Sequence, residues 1–169
     1  FSPESFPYEG HIKRIANKYY QKNCNMNELN DCKDFIQNHF HWVRIDLSNL
    51  TLKSILDQFR QLVLQKGIKI CVIDPFNMLD HSAQKDFSYI GRQLSLLTQF
   101  VQQTNTHLFL VAHPRKIESE DGVFKKPNLY SISGSADFYN KTFNGIITYR
   151  CVGNKTKFKS DFSSISFAN

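Results

Sequence analysis

Two apolar runs of strand length, IKICVID over residues 68–74 and THLFLVAH over residues 106–113, flank a segment long enough for one helix and its turns. Strands that alternate with a helix read as a βαβ unit, whose crossover returns the chain to the end where the first strand began and so pairs the strands in parallel. Near-continuous Ile, Val, Leu and Phe suits strands covered on both faces. The crossover repeats Phe87, Ile90, Leu94, Leu97 and Val101 at helical spacing. The sequence therefore predicts an α/β chain, a mostly parallel sheet flanked by helices on both faces, with ligands beyond the carboxyl ends of its strands.

The remaining segments extend the same pattern. Ile12, Ile15 and Tyr19 predict a helix from Tyr8 to about Lys22, with Pro7 suited to its first turn. Leu29, Cys32, Phe35 and Ile36 give a weaker apolar face over residues 25–40, read as a second helix, and HWVRID reads as a short strand. Leu52, Ile55, Leu56, Phe59, Leu62 and Val63 form a broad stripe that Gly67 terminates. A long polar segment follows His113 and is read as a loop. GIITYR then predicts a strand, with FSSISF pairing beside it as a hairpin.

With 169 residues, 41% of them hydrophobic, the chain can bury one sizeable core and is too short for two comfortable domains. The excess of Lys and Arg, net +6 with a pI near 9.1, favours an anionic partner. Cys24, Cys32, Cys71 and Cys151 lie far apart without a C-x-x-C pair, which predicts reduced thiols in a cytoplasmic protein. No apolar run of bilayer length occurs, so a soluble protein without membrane association is expected. The opening FSPES reads as the continuation of a larger domain.

Asp74 ends the first buried strand and Pro75 turns the chain away, which presents a carboxylate at the ligand edge. A buried unpaired carboxylate is costly, so Mg²⁺, a basic group or a helix terminus should face it, unless it only caps its own turn. His113 ends the second strand likewise and can donate a hydrogen bond to a phosphate oxygen, or be a satisfied polar residue. Glu4 precedes the first helix; a strand ending near Phe1 would bring it to the same edge, where it could deprotonate water. In the long loop, Arg115, Lys116, Lys125 and Lys126 precede SGSAD, whose small residues let the backbone approach an extended anion. Arg150, Lys155, Lys157 and Lys159 form a second basic cluster. GNKT within it is not a phosphate loop, and no Gly-Lys-Ser or Gly-Lys-Thr occurs in the chain.

Taken in order, FSPESFP, CVIDPFNML, LFLVAHPRK and SISGSADFYNKTFNGIITYR resemble successive segments of the motor domain of replicative DNA helicases of the DnaB and Twinkle type, including primase-helicases. The resemblance covers residues 1 to about 150 and implies a RecA-like P-loop NTPase core that is N-terminally truncated, lacking its Walker A segment. It implies ATP and Mg²⁺ as cofactors, Glu4 as the catalytic carboxylate, Asp74 as the metal-holding Walker B aspartate and His113 as the γ-phosphate sensor. It also implies single-stranded DNA contacts from the segment between Arg115 and Asp137, with Arg115, Lys116, Lys125, Lys126, Ser133, Gly134 and Ser135 as the DNA-binding residues. Members of this family act as ring hexamers, some with a primase fused or associated. Two other readings stay open: a non-catalytic DNA- or partner-binding module, and a fragment of a recombinase or repair ATPase.

Overall fold

A computed structural model describes residues 1–5, 8–46, 50–79, 88–115, 119–120, 123–124, 127–132 and 135–148. The chain divides into two compact units, one of Phe1–Asp80 with Thr104–Val111 and the other of His81–Gln103 with Ala112–Asn169.

The first unit begins with a 3₁₀ turn at Pro3–Ser5 and four helices: α1 (Tyr8–Tyr20), α2 (Met26–Asp31), α3 (Lys33–His39) and α4 (Leu52–Lys66). Pro7 lies outside the described residues. The helix expected over residues 25–40 is two, each short enough that capping matters. Asn25 caps α2 by accepting from the Glu28 N–H while the Glu28 carboxylate accepts from the Asn25 N–H, and Lys22 pairs with that same carboxylate. Ala16, Cys24, Cys32 and Ile36 are buried together, with Ile12, Ile15, Leu29, Phe35 and Trp42 packed around them. Burial pushes the Cys32 thiol pKa up, and Cys24, Cys32 and Cys71 are all free.

In α4, Thr51 and Ser54 form a reciprocal cap, and the buried face is Leu52, Ile55, Leu56 and Phe59. Gly67 ends the helix at φ 67°, donating its N–H to the Val63 carbonyl at 3.0 Å. A side chain there would meet no neighbour, so the cost of one is purely backbone strain. Gly67→Ala should lower the free energy of unfolding by about 1 kcal/mol, read from the midpoint of urea denaturation; an unchanged midpoint would show that the helix end relaxes elsewhere.

Strand β1 (Ile70–Ile73) pairs in parallel with β2 (His107–Leu110), Ile70 opposite His107 and Ile73 opposite Leu110. The two predicted strands therefore form and run in the predicted sense. On the other edge of β1, the Phe1 nitrogen donates to the Val72 carbonyl at 2.8 Å and the Asp74 N–H donates to the Phe1 carbonyl at 3.0 Å. Val72 and Asp74 point their backbone groups away from β2, whereas the carbonyls of Lys69 and Ile73 accept from His107 and Val111. Phe1 is thus laid along β1 in a parallel ladder pattern.

The expected α/β architecture, a RecA-like P-loop NTPase core with an extensive parallel sheet flanked by helices, is overturned. The described residues are mostly helical, and their parallel sheet has two strands. Cys71 and Ile73 are buried, but Ile70 is 58% exposed and Phe109 43%, so one face of the sheet is open where both were expected to be covered. HWVRID makes no ladder. Its alternation is used differently: Val43 is buried, and Trp42 packs on α1 against Tyr8 and His11, with ring centroids 5.9 and 6.0 Å away. Of GIITYR, Gly145 takes part in an isolated β-bridge and residues 146–148 form no strand; Tyr149, Arg150 and everything after them, FSSISF and the second basic cluster included, lie outside the described residues.

The second unit carries α5 (Tyr89–Thr104, which passes into the first unit at its last residue), the two-residue strands β3 (Ser119–Glu120) and β4 (Val123–Phe124), a 3₁₀ turn at Leu129–Ser131 and α6 (Ser135–Lys141). Gly91, Leu94, Leu97 and Phe100 are the buried stripe of α5; of the expected apolar face Leu94 and Leu97 are in it, Ile90 and Val101 are only half-buried, and Phe87 lies outside the described residues. The segment expected as one long loop instead contains an antiparallel pair, Ser119 opposite Phe124, and the helix α6.

Candidate functional site

Asp74 sits directly after β1, half-buried, at the carboxyl end of the parallel pair. A cis peptide bond joins it to Pro75, and Phe76 then donates its N–H to the Val111 carbonyl at 2.7 Å. Both strands are therefore tied together at the end where Asp74 emerges. The Ser2 hydroxyl lies 3.3 Å from Asp74 Oδ2 and 2.9 Å from Ser5 Oγ. Its single proton can go to the carboxylate while the Ser5 hydroxyl donates to it in turn.

Glu4 lies in the turn between Ser2 and Ser5 and is exposed. Because Phe1 is bonded to β1 and Ser2 reaches the carboxylate, the Glu4 turn is held beside the Asp74 end of the strand. The sequence alone placed these two carboxylates 70 residues apart; the Phe1–β1 ladder brings their segments together. His11 on α1 belongs to the same unit and was missed. Its Nδ1 is buried without a hydrogen-bond partner, and desolvation, then the Arg14 charge, pull its pKa down, against an opposing pull from Asp74. Nothing in the spacing of α1 distinguishes this histidine.

His113 is exposed and lies in the second unit, two residues beyond the last residue of the first. Pro114 forms an antiparallel bridge with Ile132, and the Arg115 N–H donates to the Ser131 carbonyl at 2.8 Å. Of the predicted DNA-binding residues, Arg115 is exposed and Ser135 begins α6. Lys116, Lys125, Lys126, Ser133 and Gly134 lie outside the described residues.

The second unit also builds polar features that the sequence did not announce. Lys141 donates from Nζ to the Gly91 carbonyl and to Ser95 Oγ, both at 2.7 Å, and pins α6 to α5. A Cβ at Gly91 would meet Asp137 Oδ1 at 3.1 Å, so the glycine allows this close approach. The cavity of about 570 Å³ beside this clamp is lined by Arg92, Gln99, Asp137 and Lys141. In the same unit, Tyr130 and Tyr139 stack with centroids 4.5 Å apart and planes at 23°. Partial desolvation and then the neighbouring Tyr139 raise the Tyr130 pKa, which fits hydroxyls that lie side by side.

No cluster of three His, Cys, Asp or Glu side chains that could hold a metal occurs among the described residues. Mg²⁺ at nucleotide sites commonly takes only one or two carboxylates and fills its shell with waters and phosphate oxygens. A half-buried carboxylate at a strand tip, with a hydroxyl beside it, fits that mode of binding. No helix among the described residues is long and apolar enough to cross a membrane.

No protein-family profile matches the chain. It is similar to the Twinkle homolog protein, chloroplastic/mitochondrial, of Arabidopsis thaliana, with 37% identity over 127 residues. The match covers 73% of this chain and 18% of that protein, so the chain spans less than a fifth of its relative's length. The relative's organellar designation overturns the expectation of a cytoplasmic protein, which rested on unpaired cysteines. Reduced thiols mark a reducing environment and do not distinguish one such compartment from another. Identity of this size over so long a stretch is homology, and it ties the chain at family level to the Twinkle/DnaB-like helicase lineage.

Proposed function

We propose that residues 1–169 are part of the motor domain of an ATP-dependent replicative DNA helicase, which couples ATP hydrolysis to movement along single-stranded DNA as a ring hexamer. The observation that carries the reading is the Asp74 carboxylate at the carboxyl end of β1, with the Glu4 turn tethered beside it through Phe1 and Ser2. Homology to a Twinkle-type protein supports the same assignment.

In this reading Asp74 would hold Mg²⁺, which would supply charge neutralisation at a bound triphosphate. Glu4 is exposed and unencumbered by burial, so it can orient a water and accept its proton. The His113 ring donates to a phosphate oxygen and loses that partner when the phosphate leaves. Arg115 and the lysines around it bind the strand's phosphates, which makes affinity fall steeply with salt. The chain has no Gly-Lys-Ser or Gly-Lys-Thr, so the residues that cradle the β- and γ-phosphates are not among these 169.

The test is ATP hydrolysis by the full gene product, with and without single-stranded DNA. Magnesium-dependent hydrolysis stimulated by DNA is expected, and Glu4→Gln should lower kcat by about 10²–10⁴-fold with nucleotide binding retained. Single-strand binding without any hydrolysis would replace this reading with a non-catalytic binding module. Neither binding nor hydrolysis would sink both.

A further inference from the structure

We infer that the stacked pair Tyr130–Tyr139 is a platform on which bases of the bound single strand stack; this rests on the DNA-binding reading above. Both rings are half in solvent, Tyr130 51% and Tyr139 42% exposed, although each already covers part of the other. An exposed tyrosine pair carries two outer faces free of the mutual contact, and every base has a π-face to lay on them.

The platform is rigidly mounted. Tyr130 lies in the 3₁₀ turn Leu129–Ser131, whose ends are closed by Asn128 and Ser131 bonding to each other's backbone. Tyr139 projects from α6, which Lys141 pins to α5. Gly145 passes so close to the turn that a Cβ there would meet Leu129 Cδ1 at 2.8 Å. Little side-chain entropy remains to be lost when a base arrives, which is what favours aromatic residues as contact surfaces.

Its position suits a nucleic acid strand. Ser131, next to Tyr130, accepts the Arg115 N–H at 2.8 Å, and Ile132 bridges to Pro114, so the pair stands beside the exposed Arg115 and the chain's exit from His113. A net charge of +6 over these 169 residues has the sign that a polyanion requires. Phosphate contacts alone hold a strand without touching its bases; the tyrosines add a grip that needs bases but no particular sequence.

The experiment compares binding of oligo-dT with binding of an abasic strand of equal length, which keeps the phosphates and lacks the bases. The protein should prefer oligo-dT by about tenfold or more, and Tyr139→Leu or Tyr130→Leu should erase that preference while leaving abasic binding unchanged. Tyr139→Phe keeps the ring and should keep the preference. A pair that only staples the turn to α6 predicts something else: the Leu variants would lose thermal stability and weaken both ligands equally. That result, or equal binding of both strands by the unmodified protein, overturns the platform while the DNA-binding reading stands. Absence of binding to either strand overturns the DNA-binding reading and the platform with it.

Discussion

If the proposed motor reading holds, Asp74→Asn in the full gene product should leave it folded and cut magnesium-dependent ATP hydrolysis by about a hundredfold to a thousandfold. A metal ion at a transferring phosphoryl group supplies several kcal/mol of charge stabilisation, and each ~1.4 kcal/mol is a factor of ten in rate. Asparagine has the same shape as aspartate, and its carbonyl oxygen can still accept from the Ser2 hydroxyl, 3.3 Å from Oδ2 in the parent. What it removes is the negative charge that attracts a divalent cation. The fold should therefore survive, because the turn is also held by the Asp74 N–H on the Phe1 carbonyl and by Phe76 on Val111, all of it backbone. Steady-state hydrolysis across a magnesium titration, with circular dichroism as the control, measures both halves. Full activity in the variant would reduce Asp74 to a turn residue and remove the proposed metal site.

Phe100→Ala should cost about 3–5 kcal/mol of stability. Phe100 is wholly buried on α5, and removing its ring loses the transfer energy and leaves a cavity that surrounding side chains fill only in part. Native domains are stable by only about 5–15 kcal/mol, so a loss of this size is a large share of the total. Leu96, four residues earlier on the same helix, is 43% exposed, and Leu96→Ala should cost less than about 1 kcal/mol. Denaturation midpoints of the two variants test the contrast. Equal losses would mean that the burial of α5 is not what this stripe determines.

The helices were the legible part of the sequence. α1, α4 and α5 each repeat apolar residues at three and four positions, a pattern that pays off locally as soon as one face is covered. Capping was legible too, since Gly67 falls where the stripe of α4 stops. α6 was not, because SADFYNK offers only Phe138 to a core and begins with residues common in turns. Its helical state depends on Lys141 finding Gly91 and Ser95, some 50 and 46 residues back. HWVRID failed in the opposite sense: a short alternating stretch suits a strand, but ladder bonds need a neighbouring strand, and Trp42 had α1 to pack on.

The site divides along the same line. That Asp74 would stand at the end of a strand followed from an apolar run broken by Asp-Pro, a covalent fact of the chain. That the Glu4 turn would lie beside it followed from Phe1 bonding to the free edge of β1, which no local pattern encodes. The tyrosine pair is nine positions apart across a turn and a helix, and only their packing makes it one surface. Sequence periodicity determined α1, α4, α5 and the two parallel strands, because those depend on neighbours a few residues away. Tertiary structure alone decided the extent of the sheet, the exposure of its faces and the meeting of distant side chains, because each requires a partner whose position depends on the path of the rest of the chain.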